Sequence, residues 1–275
     1  MQAPLPKPTA VTGWDCHAHL FGPYDRYPLA PNPSYEPGEA TQPQYLAMLQ
    51  RLGLSHAVLV HPSAYADDHS LLLDALAAQP QWRGVIVARP GQFASFEGLR
   101  GKGVRGARFS HRSGGNFAGS ASFADLLEFA PRLADAGLHA ELWTDCRALP
   151  HIATDLQRLP LPVVIDHMGG FDWRAGVDEP GFRTLLSLLE SGKVWVKLCA
   201  YRNTLDAPSA EAARPFHDKM LEANPSQLVW GSDWPHLRVN PAPDAAGLLD
   251  RVTAWSAGKA GVQQVLVDNP TRLYG

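Results

Sequence analysis

Eight short apolar, β-branched runs recur along the 275 residues, at 14–20 (WDCHAHL), 56–61 (HAVLVH), 84–88 (GVIVA), 104–109 (VRGARF), 139–144 (HAELWT), 162–167 (PVVIDH), 194–199 (VWVKLC) and 228–233 (LVWGSD). Segments with apolar residues at helical spacing separate most of them, such as Tyr45, Met48, Leu49 and Leu52, or Phe182, Leu185, Leu186 and Leu189. Thr41 is placed to cap the first helix and Gly53 to end it, and Gly137 and Gly192 fall where two later ones stop. Alternation repeated this often requires parallel strands with helical crossovers, and eight tilted strands closed on themselves leave no edge exposed. The expected fold is α/β, a (β/α)8 TIM barrel, with an open doubly wound sheet as the fallback. A single domain over 1–275 fits, because such barrels typically take ~250 residues and neither an internal repeat nor an interdomain linker is visible. Residues 1–13 read as an extended N-terminal segment and the Pro- and Gly-rich 22–43 as a long loop after the first strand.

Composition excludes several function classes. With 45% hydrophobic and 19% charged residues spread without blocks, a packed core is expected. A net charge of -3 with scattered Lys and Arg leaves no basic stripe for a phosphate backbone, so no nucleic-acid partner is expected. No stretch approaches the ~20 apolar residues that cross a bilayer, and the opening MQAPLPKPTAVTG lacks an apolar signal core. A cytoplasmic location without membrane partners is the expectation. Cys16, Cys146 and Cys199 are few, odd in number and without a CxxC pair, which points to neither disulfides nor a cysteine metal site. Cys16 and Cys199 read as buried structural thiols, and Trp143, Trp195 and Trp230 as core or pocket walls. The oligomeric state is open.

In barrels of this kind chemistry sits at the carboxyl ends of the strands. There the first run carries Asp15, His17 and His19 at alternate positions, which a period-two pleat puts on one face. The second ends at His61 and Ser63, the fourth at Arg108, the sixth at Asp166 and His167, and the eighth at Asp233 followed by Trp234, Pro235 and His236. An HxH pair alone is weak evidence, since histidines also satisfy buried carbonyls. Barrel closure, however, makes the first and last strands neighbours and would gather His17, His19, His167 and Asp233 at one mouth. Lys197, by contrast, is expected to pair with a carboxylate between strand and helix. His17, His19 and Asp233 offer the nitrogen and oxygen ligands of a mononuclear Zn²⁺.

The elements DCHAHLFGP, VVIDHMG, GSDWPH and the terminal VDNPTRLYG resemble the amidohydrolase-2 branch of the amidohydrolase superfamily, and within it the 2-pyrone-4,6-dicarboxylate lactonases, from about residue 14 to the end. The resemblance implies a deformed TIM barrel, a hydrolase acting on a carboxylic ester, and a place in the breakdown of aromatic compounds. Binuclear superfamily members use a modified lysine on the fourth strand and a histidine on the fifth, where this chain has Arg108 and Trp143. The pyrone lactonases are understood to work without a divalent metal, so no cofactor is the favoured expectation and Zn²⁺ the alternative.

The resemblance further implies substrate-binding roles for Arg108, in the VRGxRF segment, and for Tyr35, with Ser63 as a third polar contact. Arg202 lies one residue off the family's arginine. A second family arginine falls on Gly114, with Arg112 the nearest substitute, and a family tyrosine becomes Trp143. The expected reaction opens a carboxylated lactone, 2-pyrone-4,6-dicarboxylate or a close analogue. Asp233 would take a proton from water while His17, His19 and His167 donate hydrogen bonds to the carbonyl oxygen. The alternatives are a Zn²⁺-dependent hydrolase or decarboxylase, a sugar-acid lactone hydrolase or isomerase, and a non-catalytic binder of small carboxylates.

Overall fold

The computed structural model describes residues 12–33, 35–91, 95–256 and 261–275. Of the expected extended segment 1–13, all but residues 12 and 13 lies outside the described residues. Eight strands form one parallel sheet in chain order: β1 (Trp14–Ala18), β2 (His56–Val60), β3 (Trp82–Val87), β4 (Val104–His111), β5 (His139–Thr144), β6 (Val163–Ile165), β7 (Val194–Leu198) and β8 (Leu228–Trp230). All eight coincide with the apolar runs of the sequence. The cylinder closes just beyond β8, where the Asp233 amide donates to the His17 carbonyl (2.8 Å) and the His19 amide to the Trp234 carbonyl (2.8 Å). The fold is the expected (β/α)8 barrel.

The helices are α1 (Gln42–Leu52), α2 (Ser70–Ala78), α3 (Phe123–Asp135), α4 (Leu149–Arg158), α5 (Pro180–Glu190), α6 (Arg214–Ala223), α7 (Ala245–Ser256) and α8 (Asn269–Tyr274). α1 starts at Thr41, which forms a capping box with Gln44, and ends at Gly53, whose φ of 71° only glycine adopts without strain. On α5 the buried set is Phe182, Leu185, Leu188 and Leu189, so the apolar stripe passes through Leu188 where Leu186 was expected. Two apolar layers result. One lies between strands and helices, and the other, made of Trp14, Cys16, Val58, Val60, Val85, Val164, Trp195 and Val229 with Tyr274 of α8, fills the barrel interior.

β1 departs from simple alternation. Its register against β2 shifts between Asp15 and Ala18, and Trp14 and Cys16 belong to the interior cluster. Asp15 therefore does not share a face with His17 and His19 as alternation implied. Its carboxylate accepts from the Tyr45 hydroxyl of α1 (3.0 Å), from the Ser232 amide (2.8 Å) and from the Ser232 hydroxyl (2.6 Å). Asp15 thus ties β1 to the end of β8, and the bulge turns His17 and His19 back into the mouth. Gly231 permits this approach, since a Cβ there would lie 2.6 Å from the His17 Cβ.

Candidate active site

The carboxyl ends of the strands surround a pocket of about 340 Å³ whose lining includes His19, Tyr35, His61, Ser63, Arg108, Arg112, Trp143, His167, Arg202 and Asp233. His17 lies beneath, wholly buried. The chain reversals carry unusual backbone: His167 has φ 48° and Asp233 φ 60°, the left-handed region that costs non-glycine residues about 1–3 kcal/mol each unless the surroundings hold them. His167 is held by Asn203, whose amide donates to its carbonyl (2.9 Å). Asp233 is held through its side chain.

The two oxygens of Asp233 have different partners. Oδ2 accepts from the Tyr201 hydroxyl (2.8 Å) and from Arg202 Nε. Oδ1 faces His19 Nε2 at 3.7 Å and His17 Nε2 at 3.8 Å. Burial alone would raise this carboxyl, but His167, Arg202, His17 and His19 outweigh it and hold it far below the usual carboxylate range. Asp233 is therefore an anion with one oxygen locked and one aimed at the pocket.

Beneath it runs a chain of buried polar groups. Lys197 Nζ donates to Glu141 and lies 3.1 Å from His17 Nδ1. Arg108 pairs with Asp166 through Nε (2.9 Å) and a terminal nitrogen (2.8 Å). Burial raises Glu141 to about 7, with Asp166 adding to the shift, whereas Arg108, Lys197 and His17 overcome burial at Asp166 and hold it well below its ordinary value. Lys197 thus lies inside the barrel and not between strand and helix. Its position follows from period-two alternation with Trp195, an interior residue.

The tautomers follow from these partners. His19 Nδ1 lies 2.7 Å from the Val60 carbonyl, which can only accept, so the proton sits on Nδ1 and the Nε2 lone pair faces His17 Nε2 at 3.3 Å. His17 Nδ1 lies 3.1 Å from Lys197 Nζ and 3.2 Å from Asp166 Oδ1; with Lys197 as its donor, the His17 proton sits on Nε2, facing His19 Nε2. Burial lowers His19 and His167 to about 4, so both imidazoles are neutral at neutral pH. In this state His17 Nε2–H donates to His19 Nε2. The buried His167 Nδ1 has no hydrogen-bond partner among the described residues.

The same atoms fit a cation. Donor atoms of His17, His167 and Asp233 lie within 4.8 Å of one another. The separations of 3.3, 3.7 and 3.8 Å among His17 Nε2, His19 Nε2 and Asp233 Oδ1 approach the ~3.3 Å edge of a tetrahedral site with ~2.0–2.1 Å bonds. Binding would place the His17 proton on Nδ1, 3.2 Å from Asp166 Oδ1.

Toward the mouth, Tyr35 bonds to Ser63, and His61 Nε2 is fixed on the Ala66 carbonyl (2.8 Å) against the His69 ring. Arg112 lies over Trp143, 4.4 Å from the ring centroid. His236 packs on Tyr201, outside the pocket lining. Cys16, Cys146 and Cys199 are buried, and burial pushes their thiols up. Sequence reasoning missed Glu141, Lys197 as a site residue, Tyr201, Asn203 and Arg238. A charged residue alternating with inward aromatics in HAELWT and VWVKLC was a signal for the first two, whereas Arg238 sits in a loop without periodicity.

Comparison with known proteins places this geometry. The family model described as amidohydrolase matches residues 14–275. A 2-pyrone-4,6-dicarboxylate hydrolase of Comamonas testosteroni is 34% identical over 273 residues, covering 94% of this chain and 89% of that one. A 4-sulfomuconolactone hydrolase of Rhizobium radiobacter is 31% identical over 297 residues, covering 99% and 93%. A solved structure from Pseudomonas putida, provisionally assigned as a 2-pyrone-4,6-dicarboxylic acid hydrolase, superposes with a TM-score of 0.83 at 31% identity over 97% of this chain and 98% of that one. The chain belongs to the amidohydrolase family.

Proposed function

We propose that the protein is a hydrolase that opens a carboxylated lactone, with 2-pyrone-4,6-dicarboxylate or a close analogue as substrate. The observation that carries this reading is the divided Asp233 carboxylate, with Oδ2 locked by Arg202 and Tyr201 and Oδ1 facing two imidazoles below an arginine-lined pocket. The relatives named above support the substrate class.

A water that displaces the His17–His19 hydrogen bond and sits between Asp233 Oδ1 and His19 Nε2 meets two acceptors, which turns its oxygen lone pair toward the pocket. As that oxygen bonds to the lactone carbonyl carbon, its proton passes to Oδ1. His17 Nε2–H and His167 donate to the oxyanion, where each donor is worth on the order of 10²–10³ in rate. Collapse breaks the ring C–O bond, and the proton held by Asp233 goes to the departing oxygen. His19, expected from sequence to donate to the carbonyl, has its proton on the Val60 side and serves here as an acceptor. Arg108 and Arg202, expected as direct carboxylate binders, are ion-paired with Asp166 and Asp233 and set the charge of the site.

The donor spacing of His17, His19 and Asp233 favours a second reading, in which these residues hold a divalent ion. Such an ion would polarise the carbonyl and acidify bound water. One assay separates the readings: loss of pyrone absorbance at neutral pH, before and after exhaustive chelation, with product identification. Undiminished hydrolysis after chelation supports the metal-free route. Loss restored by zinc establishes the second reading. No consumption of any carboxylated lactone overturns both.

A further inference from the structure

Ion pairing inside the mouth leaves two arginines without a carboxylate partner among the described residues. Glu141, Asp166 and Asp233 are its buried carboxylates, and Lys197, Arg108 and Arg202 are ion-paired with them. Arg112 and Arg238 line the same pocket and form no ion pair among the described residues. Asp145, the remaining acid of the lining, accepts from the Ser113 amide (2.8 Å), the Ser113 hydroxyl (2.9 Å) and the Ala148 amide (3.1 Å).

Aromatic faces hold both free arginines. The Arg112 guanidinium carbon lies 4.4 Å from the Trp143 centroid and 5.9 Å from that of Phe117. The Arg238 carbon lies 4.1 Å from Phe117 and 4.9 Å from Tyr35. Phe117 is therefore shared, and cations alternate with rings along one wall built from the ends of β4 and β5 and the loops after β1, β4 and β8. Stacking of this kind fixes the guanidinium plane and leaves its edge N–H groups for a ligand. Among the described residues the buried Arg112 Nε has no hydrogen-bond partner, a state that costs free energy until an acceptor arrives.

We propose that Arg112 and Arg238 form an anion clamp that binds the carboxylate of the substrate remote from the scissile carbonyl, and that Arg238 sets the preference for dianionic over monoanionic lactones. Two arginines without ion pairs answer the two carboxylates of a pyrone dicarboxylate. The identity of the ligand as a lactone depends on the function proposed above, whereas the clamp itself requires only an organic dianion.

The test compares kcat/KM for 2-pyrone-4,6-dicarboxylate with that for 2-pyrone-4-carboxylate and 2-pyrone-6-carboxylate in wild type, Arg238→Met, Arg238→Lys and Arg112→Met. Loss of one charge-assisted fork lowers affinity by about 10- to 100-fold. In Arg238→Met that loss falls mainly on KM for the dicarboxylate, so its advantage over one of the monocarboxylates drops by the same factor, and Arg238→Lys recovers part of it. An unchanged ratio in both Met variants overturns the clamp. Calorimetric titration with isophthalate, a non-hydrolysable 1,3-dicarboxylate, against benzoate gives a readout independent of turnover. If no lactone is consumed but isophthalate binds the wild type and not the Met variants, the clamp stands and the lactonase reading falls. If the dicarboxylate is consumed and the variants bind isophthalate as wild type does, the clamp falls alone.

Discussion

Replacing Lys197 by Met removes a buried ammonium that touches Glu141, His17 and Asp166. Breaking a buried ion pair typically costs about 3–5 kcal/mol, which for a chain of this size is roughly 6–20 °C in melting temperature. Glu141 makes the cost depend on pH. Burial already raises its carboxyl to about 7, and Lys197 is among the groups that limit the rise. A carboxyl whose folded pKa exceeds its unfolded value keeps a proton that the unfolded chain loses, so stability falls as pH rises between the two values. In the wild type this fall ends near pH 7, whereas in Lys197→Met it continues upward. The deficit is therefore smallest near pH 6 and grows by about 1.4 kcal/mol per pH unit above 7. Melting curves of both proteins at pH 6 and 8.5, with the double variant Glu141→Gln/Lys197→Met, measure this. The double variant regains most of the deficit at pH 8.5. A deficit independent of pH, or a double variant no more stable than the single one, would refute the coupling.

Three further outcomes follow from the same geometry. His19 and His167 at about 4 and His61 at about 3 lie below the unfolded histidine value. Between about pH 6.5 and 4 the unfolded chain binds the additional protons, so stability drops on acidification by on the order of 1.4 kcal/mol per unit per histidine; flat melting temperatures across that window contradict buried neutral imidazoles. Arg202→Met removes a cation that lowers His19 and His167 as well as Asp233, so the acid limb of kcat/KM moves to higher pH while kcat falls; an unmoved limb would show that Arg202 does not set the charge of these groups. Gly231→Ala drives a methyl against His17 and costs about 1–3 kcal/mol together with activity, whereas wild-type kinetics and melting would show that the β1–β8 approach is not tight.

Periodicity carried the barrel and, through closure, the meeting of His17, His19, His167 and Asp233, because apolar alternation and strand order are written in local residues. It failed at Asp15, where a register shift reverses the face, since a bulge depends on the partner strand and not on the chain's own pattern. It misplaced Lys197, whose carboxylates come from β5 and the end of β6. The role of Arg202 was also beyond reach, because Asp233 meets it only through the turn after β7. The tautomer of His19 depends on a carbonyl 41 residues away, which no single-strand pattern contains.

In the proposed reaction Asp233 takes the proton of the attacking water, so its amide variant is the most direct test. Wild-type protein should consume 2-pyrone-4,6-dicarboxylate at neutral pH, followed by ring absorbance, and Asp233→Asn should lose at least about 10³-fold in kcat while still binding the dicarboxylate. Near-normal turnover by Asp233→Asn would contradict the assignment of the base, and a wild type that leaves the ring intact would contradict the proposed activity.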